Sequence, residues 1–413
     1  MPVNYTPPTA ESLLPVPGIA LGTAAAKIKN WDRDDVVLIV AEPGTVAAGV
    51  FTQNRFCAAP VIVCRQHLEA QRRRALDFRA LIVNAGNANA GTGDAGVAAA
   101  QATCGKAAHL TDCAPEQVLA FSTGVIMEAL PVDRIVDGLP LARAAARHDG
   151  WLAAARAIMT TDTVQKGASR RVSVDGIDVT VTGIAKGSGM IHPDMATMLA
   201  FIATDAPIAG AMLDAMTREL ADVSFNRATV DGDTSTNDSF VVAATGRARI
   251  APILDRDDRR LAPIRRALED VAIDLAQAIV RDGEGATKFI AIRVERGKDV
   301  DECRRIAFGI AHSPLVKTAF FASDPNLGRI ICAIGNAAAR DLDPTAVSFW
   351  LDDVLVVDRG GRAASYTEAL GQRVMKQDEI AVRVELGRGS AHATVWTCDF
   401  SHAYVSINAD YRS

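Results

Sequence analysis

The 413-residue chain lacks several features that mark whole classes of protein. It has no apolar run approaching the roughly 18 residues of a membrane-spanning helix, so we expect no membrane partner. Its net charge is −5, whereas nucleic-acid-binding proteins favour a basic surface, which argues against that class. Its N-terminus has no basic segment followed by an apolar one, so we expect no signal peptide and a cytoplasmic location.

The chain also lacks the cysteine motif C-x-x-C. Its 7 cysteines are scattered and odd in number, which predicts mostly buried thiols in a reducing compartment. A disulfide framework and a zinc site are both disfavoured, and we expect no bound metal. Hydrophobic residues make up 49% of the chain and charged residues 23%, which is typical of a soluble globular enzyme. The length favours two domains or lobes.

Short β-branched runs alternate with Ala-rich stretches of helical spacing. The pattern predicts helices at residues 94–106, 208–222 and 261–281, and strands at residues 36–41, 81–84, 118–121, 197–204, 289–294, 380–386 and 392–398. Residues 171–184 alternate around Asp175-Gly176, which is a strong hairpin signal. The fold class is therefore α/β or α+β, and we expect a lobe boundary between residues 281 and 295.

The most informative stretch is residues 186–199, KGSGMIHPDMATML, where a Gly-rich loop leads into an apolar run. The small residue Ala196 precedes the hydroxyl residue Thr197. This order suits self-cleavage, in which the Thr hydroxyl attacks the preceding carbonyl, the acyl group moves from nitrogen to oxygen, and water releases the ester. The new N-terminal Thr carries its own base, because an α-amine has a pKa of about 7.7–8.0. Such a Thr is an activated nucleophile for acyl transfer, although a Thr opening an apolar strand is more often an ordinary β-branched strand residue.

The same stretch resembles the cleavage signature of the ornithine acetyltransferases, the bifunctional glutamate N-acetyltransferases of arginine biosynthesis. The resemblance runs from about Pro17 to the C-terminus. The other matching blocks, in the order of that family, are residues 84–89 (NAGNAN), 122–126 (STGVI), 229–238 (TVDGDTSTND), 282–288 (DGEGATK) and 405–413 (VSINADYRS).

The resemblance implies a fold and a reaction. It implies a layered helix–sheet–sheet–helix core resembling N-terminal-nucleophile enzymes, with a smaller C-terminal lobe at about residues 285–413. Self-cleavage would give an α chain of residues 1–196 and a β chain of residues 197–413, assembled as a heterotetramer of two of each. Acetyl would pass from N2-acetylornithine to L-glutamate by a ping-pong mechanism. No cofactor is needed, and acetyl-CoA is a further candidate donor in the bifunctional members.

The resemblance also assigns site residues. Thr197 is the nucleophile, and the cleaved bond joins it to Ala196. Thr123 and Gly124 form the oxyanion hole, which suits a hydroxyl and a backbone N–H aimed at a developing charge; read without the family, they indicate a tight turn. The implied substrate-binding residues are Thr160 (with Thr161 as the alternative), Lys186, Thr197, Glu284, Asn408 and Ser413. Because the last residue matches, we expect the C-terminal tail to fold over the site.

Two other functions remain open. An N-terminal-nucleophile amidase or aminopeptidase would share the cleavage and the oxyanion hole but pass the acyl group to water. A non-catalytic protein could instead keep an amino-acid pocket, although the intact residues Thr197, Thr123 and Gly124 argue against it. Three further signals are interpreted as structural: the Asx-rich loop of residues 231–238, the Gly-rich residues 86–96, which have no G-K-[ST], and His192, interpreted as a loop residue.

Overall fold

A computed structural model describes residues 1–192, 198–338 and 341–409 of the chain. The chain forms two compact units. The large unit comprises Pro7–Asn226 and Asp233–Ile279. The small unit comprises Val280–Ser413 together with Met1–Thr6 and Arg227–Gly232. The predicted fold class, with a smaller C-terminal lobe, is confirmed. No sequence pattern indicated that the two short segments belong to the small unit.

The described residues of the large unit form two sheets and six α-helices. Its strands are β1 (Ile19–Ala24), β2 (Val36–Ala41), β3 (Val46–Phe51), β4 (Ala80–Asn87), β5 (Val118–Val125), β6 (Lys166–Val174), β7 (Ile177–Lys186), β8 (Leu199–Thr204) and β9 (Ser239–Ala244). Its helices are α1 (Ala59–Arg74), α2 (Gly93–Leu110), α3 (Val132–Ala144), α4 (Trp151–Ala157), α5 (Gly210–Val223) and α6 (Leu261–Arg281), the last of which ends at the first residues of the small unit.

The two sheets of the large unit pack face to face. One has the strand order β1-β2-β4-β5 and the other β3-β9-β8-β7-β6. Side chains from both sheets form one buried cluster, in which the rings of Phe121 and Phe201 meet edge to face at 5.0 Å. Helices α2 and α3 cover the outer face of the first sheet, while α5 and α6 pack on the second. This is the predicted helix–sheet–sheet–helix order.

Continuous burial explains why the central strands carry apolar runs without alternation. Every residue of β4, β8 and β9 is buried, as expected of strands covered on both faces. Strands β4 and β5 run parallel, so their carboxyl ends lie at one edge of the sheet. Two of the matching sequence blocks, residues 84–89 and 122–126, lie at that edge. Ligand sites of parallel sheets commonly form at such an edge.

The predicted hairpin joins β6 and β7. Asp175 and Gly176 form its two-residue turn with φ of 50° and 81°, the positive values that a type I′ turn requires. The predicted helix at residues 208–222 begins instead at Gly210, because Ala209 is extended and Ile208 bridges to Ile253. The other helices and strands that were predicted agree with the structure to within a few residues at their ends.

The small unit has one six-stranded sheet of order β13-β12-β11-β14-β10-β15. Its strands are β10 (Phe289–Gly297), β11 (Ser348–Leu351), β12 (Val354–Asp358), β13 (Gly361–Arg362), β14 (Glu379–Glu385) and β15 (Ala391–Cys398). Its helices are α7 (Val300–Ala311), α8 (Pro314–Phe321), α9 (Gly328–Ala337), α10 (Glu368–Met375) and α11 (His402–Ala409). The side chains of the sheet and of helices α7, α8, α9 and α10 form its apolar core.

All seven cysteines are free thiols, and Cys64, Cys104, Cys303 and Cys398 are buried. Burial raises the pKa of Cys104 to about 12 and that of Cys398 to about 11, so both remain protonated at neutral pH. In the described ranges, no helix is both long and apolar enough to cross a membrane.

Candidate active site

The predicted oxyanion residues lie at the carboxyl end of β5. Thr123 pairs with Ala85 and Gly124 with Gly86 on the parallel strand β4. Gly124 has a φ of +132°, and a Cβ atom there would lie 2.3 Å from the carbonyl carbon of Gly86. Both the backbone conformation and the close approach therefore require glycine at position 124. The Thr123 side chain is buried beside this turn.

The end of β7 brings a second predicted residue to Thr123. Lys186 is half-buried, and its ammonium Nζ donates a hydrogen bond of 3.1 Å to Thr123 Oγ1. The two residues are 63 positions apart in the sequence, so only the packing of the two sheets places them together. The structure thus joins a hydroxyl, a cation and a glycine backbone at one place in the large unit.

Asp162 lies directly behind this group, and the sequence analysis did not identify it. Its carboxylate accepts hydrogen bonds from Lys166 Nζ at 2.7 Å, from the Gly187 N–H at 2.7 Å and from the Thr160 N–H at 3.1 Å. The side chains of Asp162 and Lys166 are both 0% exposed. Burial alone would raise the pKa of Asp162, but the charges of Lys166 and Lys186 and the Gly187 hydrogen bond lower it well below its usual range.

Side-chain amides hold the strand ends around Thr123 and Gly124. Ser122 Oγ donates to Asn84 Oδ1 at 2.6 Å, and Asn84 Nδ2 donates to the Asn87 carbonyl at 2.9 Å. Asn237 Nδ2 donates to the carbonyls of Ala88 at 2.6 Å and of Ser122 at 2.9 Å. These bonds supply partners to backbone groups that the strand ladder no longer satisfies. Asn237 of the Asx-rich loop therefore holds the chain beside Thr123 and Gly124, and a structural role for the whole loop stays a prediction.

Two further predicted residues meet in the small unit. The amide Nδ2 of Asn408, in α11, donates a hydrogen bond of 2.8 Å to Oε2 of the buried Glu284. Ser401 Oγ donates to the Gly285 carbonyl at 2.6 Å. A Cβ on Gly285 would lie 2.5 Å from the Tyr404 backbone nitrogen, so glycine allows this close contact. The C-terminal helix thus packs on the loop that carries Glu284.

The bond predicted to be cleaved lies outside the described residues, as do Ala196, Thr197 and Ser413. The structure describes the chain on either side of the bond. Lys186, at the end of β7, pairs with Leu199, at the start of β8. The carbonyl of Met198 accepts a hydrogen bond of 2.9 Å from the Ser239 N–H. The strands that flank the predicted cleavage segment are therefore fixed neighbours in one sheet.

The chain matches the ArgJ family over residues 20–413, nearly its whole length. The chain belongs to the ArgJ family. The resemblance described from the sequence is thereby confirmed, and the chain is an acetyltransferase of arginine biosynthesis that acts on small molecules.

Solved ArgJ structures include the arginine biosynthesis bifunctional protein of Bacillus halodurans, which is 35% identical and is matched over 51% of this chain and 97% of its own, with a TM-score of 0.48. Ornithine acetyltransferase of Mycobacterium tuberculosis, complexed with ornithine, is 31% identical over 47% of this chain and 99% of its own, with a TM-score of 0.38. An aminopeptidase and amidase of Ochrobactrum anthropi with an Ntn hydrolase fold is 13% identical over 69% of this chain and 89% of its own, with a TM-score of 0.38. Membership of the ArgJ family rests on the sequence match and not on these TM-scores.

The residues assigned from the ArgJ resemblance fall into two groups. Thr123, Gly124 and Lys186 lie together in the large unit, and Asp162 links Thr160 to the same place. Glu284 and Asn408 form the second group, in the small unit. The half-buried side chains of Thr160 and Thr161 do not decide between them, so the choice of Thr160 stays a prediction.

The other features interpreted as structural have structural contacts in this ArgJ chain. His192 lies in a loop, and its carbonyl accepts a hydrogen bond of 2.8 Å from Thr234 Oγ1. In the Gly-rich stretch, Asn89 Nδ2 donates to the Gly96 carbonyl at 2.9 Å, which ties the loop to the first turn of α2. Within the part of the chain that the structure describes, no three metal-binding side chains cluster together.

Proposed function

We propose that this chain transfers the acetyl group of N2-acetylornithine to L-glutamate, through an acetyl ester on Thr197, after cleaving itself at Ala196-Thr197. The observation that carries the proposal is the contact of Lys186 Nζ with Thr123 Oγ1 beside Gly124, in a chain of the ArgJ family. An ammonium group has donors only. Thr123 Oγ1 therefore accepts a hydrogen bond from Lys186. The hydroxyl proton of Thr123 stays available for donation to an oxyanion.

Self-cleavage would begin when the Thr197 hydroxyl attacks the carbonyl carbon of Ala196. The C–N bond breaks, the acyl group is carried as an ester, and the amine of Thr197 is freed. Water then hydrolyses that ester, leaving a carboxylate on Ala196. The pairing of Lys186 with Leu199 supports this step, because it fixes both ends of the segment that contains the bond. Such restraint favours a near-attack geometry.

Acetyl transfer would use the same hydroxyl. The free amine of Thr197 takes the hydroxyl proton, and the oxygen attacks the acetyl carbonyl of N2-acetylornithine. The Thr123 hydroxyl and the Gly124 N–H stabilise the oxyanion, ornithine leaves with the proton, and acetyl-Thr197 remains. The amine of glutamate then attacks this ester through a second oxyanion intermediate, giving N-acetylglutamate. Two similar half-reactions explain why one oxyanion hole serves both.

The charged groups suit these substrates. Lys186 is a cation for a substrate carboxylate, and the buried carboxylate of Glu284 is a partner for the amine end of ornithine, the ligand named for the Mycobacterium tuberculosis relative. We include Thr160, Asn408 and Ser413 in the binding set. We further propose that the enzyme is a cytoplasmic heterotetramer of two α and two β chains, with no metal or prosthetic group.

The decisive assay follows N-acetylglutamate in two reactions. One contains N-acetylornithine and glutamate, and the other contains acetyl-CoA and glutamate. Product in the first reaction supports the proposal, and product in the second adds acetyl-CoA as a donor. Release of acetate in place of N-acetylglutamate would identify an amidase instead. Binding of N-acetylornithine with no turnover would identify a non-catalytic binding protein.

Cleavage is tested separately by mass spectrometry and N-terminal sequencing of the purified protein. We expect two fragments, one of which begins with Thr197. Thr197→Ala should stay intact and inactive, whereas Thr197→Ser keeps a hydroxyl and should still be cleaved. A single intact chain with full transferase activity would refute the acetyl-Thr197 mechanism.

A further inference from the structure

The buried pair of Asp162 and Lys166 lies between the end of α4 and the start of β6. Asp162 Oδ1 accepts two hydrogen bonds of 2.7 Å, one from Lys166 Nζ and one from the Gly187 N–H, while Oδ2 accepts from the Thr160 N–H. Thr160 and Lys166 belong to the same stretch of chain as Asp162, whereas Gly187 is 25 positions away, so the carboxylate connects its own segment to the end of β7. The Gly187 N–H is the contact that ties the buried pair to the segment after β7.

Gly187 follows Lys186, the last residue of β7, and begins the Gly-rich loop. Its φ is +152°, and a Cβ there would lie 3.0 Å from Ile191 Cδ1 and 3.4 Å from Met198 Cβ. Residues with a Cβ atom rarely adopt this backbone conformation, and the position lies next to Ile191 and Met198, which flank the cleavage segment. At the far end, Leu199 is held by its pairing with Lys186. At the N-terminal end of the segment, the hydrogen bond from the Gly187 N–H to Asp162 is the corresponding restraint.

We propose that Asp162 is a positioning residue for self-cleavage, because its Oδ1 acceptor fixes Gly187 and with it the start of the loop that carries the Ala196-Thr197 bond. The inference rests on the self-cleavage proposed above. The same restraint orients Lys186, the residue that precedes Gly187, toward Thr123. In this proposal Asp162 acts on cleavage only through these two neighbours, Gly187 and Lys186.

A carboxylate suits this role better than a neutral group. One of its oxygens can accept from two donors at once, and hydrogen bonds to a charged acceptor are shorter and stronger than neutral ones. Lys166 provides the compensating charge that a buried carboxylate needs. Attack of a hydroxyl on a neighbouring carbonyl depends on geometry, and a displacement of about 1 Å can lower a rate by about 10²-fold.

The test compares two double variants that differ only in the acceptor at position 162. Replacing Asp162 alone would leave the buried Lys166 without that carboxylate, so both variants also carry Lys166→Met. Asp162→Asn with Lys166→Met keeps a side-chain oxygen for the Gly187 N–H. Asp162→Leu with Lys166→Met has a similar shape and no acceptor. If the Leu variant does not fold, Asp162→Ala with Lys166→Met replaces it in the same comparison.

The measured quantity is the rate at which freshly refolded precursor becomes two fragments, with each variant kept well below its own Tm. We expect the Asn variant to cleave within a few-fold of wild type and the Leu variant to cleave about 10- to 100-fold more slowly. Equal rates in the two double variants, whether fast or slow, would overturn the proposal, because the acceptor oxygen would then not set the geometry.

A matched control separates positioning from loss of stability. Leu139→Ala removes apolar side chain from the cluster between α3 and the outer face of the first sheet, so it destabilises the large unit without touching Gly187. It should cleave at the wild-type rate below its Tm. Failure of wild type to cleave would refute the proposed function, whereas wild-type cleavage with no difference between the double variants would refute only the role of Asp162.

Discussion

A Cβ atom on Gly124 would lie 2.3 Å from the carbonyl carbon of Gly86. The end of β5 can therefore approach β4 this closely only because position 124 has no side chain. The same glycine has a φ of +132°, which residues with a Cβ atom rarely adopt. The oxyanion N–H of the proposed site thus depends on a steric requirement between two strands.

Gly124→Ala is therefore predicted to abolish both self-cleavage and acetyl transfer, because the backbone must move away from Gly86. Gly105→Ala is the matched control. Gly105 lies inside α2, where an added Cβ meets no atom within 4 Å, so the substitution should raise stability by about 0.5–1 kcal/mol. Both variants are compared with wild type by their Tm, which reports stability, and by their kcat for acetyl transfer. Normal kcat in Gly124→Ala would show that this N–H is not part of the oxyanion hole.

Thr123→Ala should lower kcat by roughly 10²–10³, the usual loss for one oxyanion donor. Activity should not vanish, because the Gly124 N–H remains. Thr123→Ser keeps the hydroxyl that accepts from Lys186 and should recover most of the rate. Steady-state kinetics with N-acetylornithine measure the effect. An unchanged kcat in the Ala variant would mean that the hydroxyl does not face the reacting carbonyl.

Deletion of residues 408–413 should abolish transfer from N-acetylornithine and leave self-cleavage unchanged. The deletion removes the Asn408 amide from Glu284 but leaves the Ser401–Gly285 contact that anchors the start of α11. Cleavage has its substrate within the chain and needs no amino-acid pocket. Fragment analysis and the transfer assay are made on the same sample.

Ser406→Ala is the control for this deletion, since Ser406 is exposed on the same helix and bonds only within it, to the His402 carbonyl. It should change stability by less than about 0.5 kcal/mol and leave transfer normal. A truncated protein with normal kinetics would remove Asn408 and Ser413 from the site.

The acid stability of the protein should depend on Asp162. Because the folded state lowers the pKa of this group, its contribution to stability is complete above the unfolded pKa of about 3.9 and is lost as the pH falls below it. One such group contributes a slope of up to about 1.4 kcal/mol per pH unit. Asp162→Asn with Lys166→Met should lack that slope. Urea unfolding between pH 7 and pH 3 measures it, and parallel curves for variant and wild type would contradict the assignment.

Sequence patterns were sufficient for the central strands of this fold. The apolar runs of β2, β5 and β10 and the Asp175-Gly176 hairpin have strong local signals, and the structure contains them. Strands β1 (IALGTA) and β3 (VAAGVF) were not predicted, because their Gly and Ala residues have weak β propensity and tertiary packing decides their conformation.

The candidate site also has residues that were predicted from the sequence and one that was missed. Thr123, Gly124 and Lys186 were predicted from short motifs, and the structure brings them together. Asp162 was missed although it is followed at i+4 by Lys166. Opposite charges at that spacing usually indicate an exposed helix, whereas here the segment is a loop entering β6 and both charges are buried. Burial of a charge depends on neighbours that are distant in the sequence.

The strand order of the second sheet has a consequence for the matured enzyme. In the order β3-β9-β8-β7-β6, a cut at Ala196-Thr197 assigns β9 and β8 to one polypeptide and the three others to the second. The backbone hydrogen bonds of two strand pairs would then hold the two polypeptides together. These pairs are β3 with β9 and β7 with β8. What folds as an intramolecular sheet becomes a subunit interface once the bond is broken. After denaturation its reassembly would be bimolecular, and the yield would fall on dilution, whereas uncut precursor would refold at any concentration.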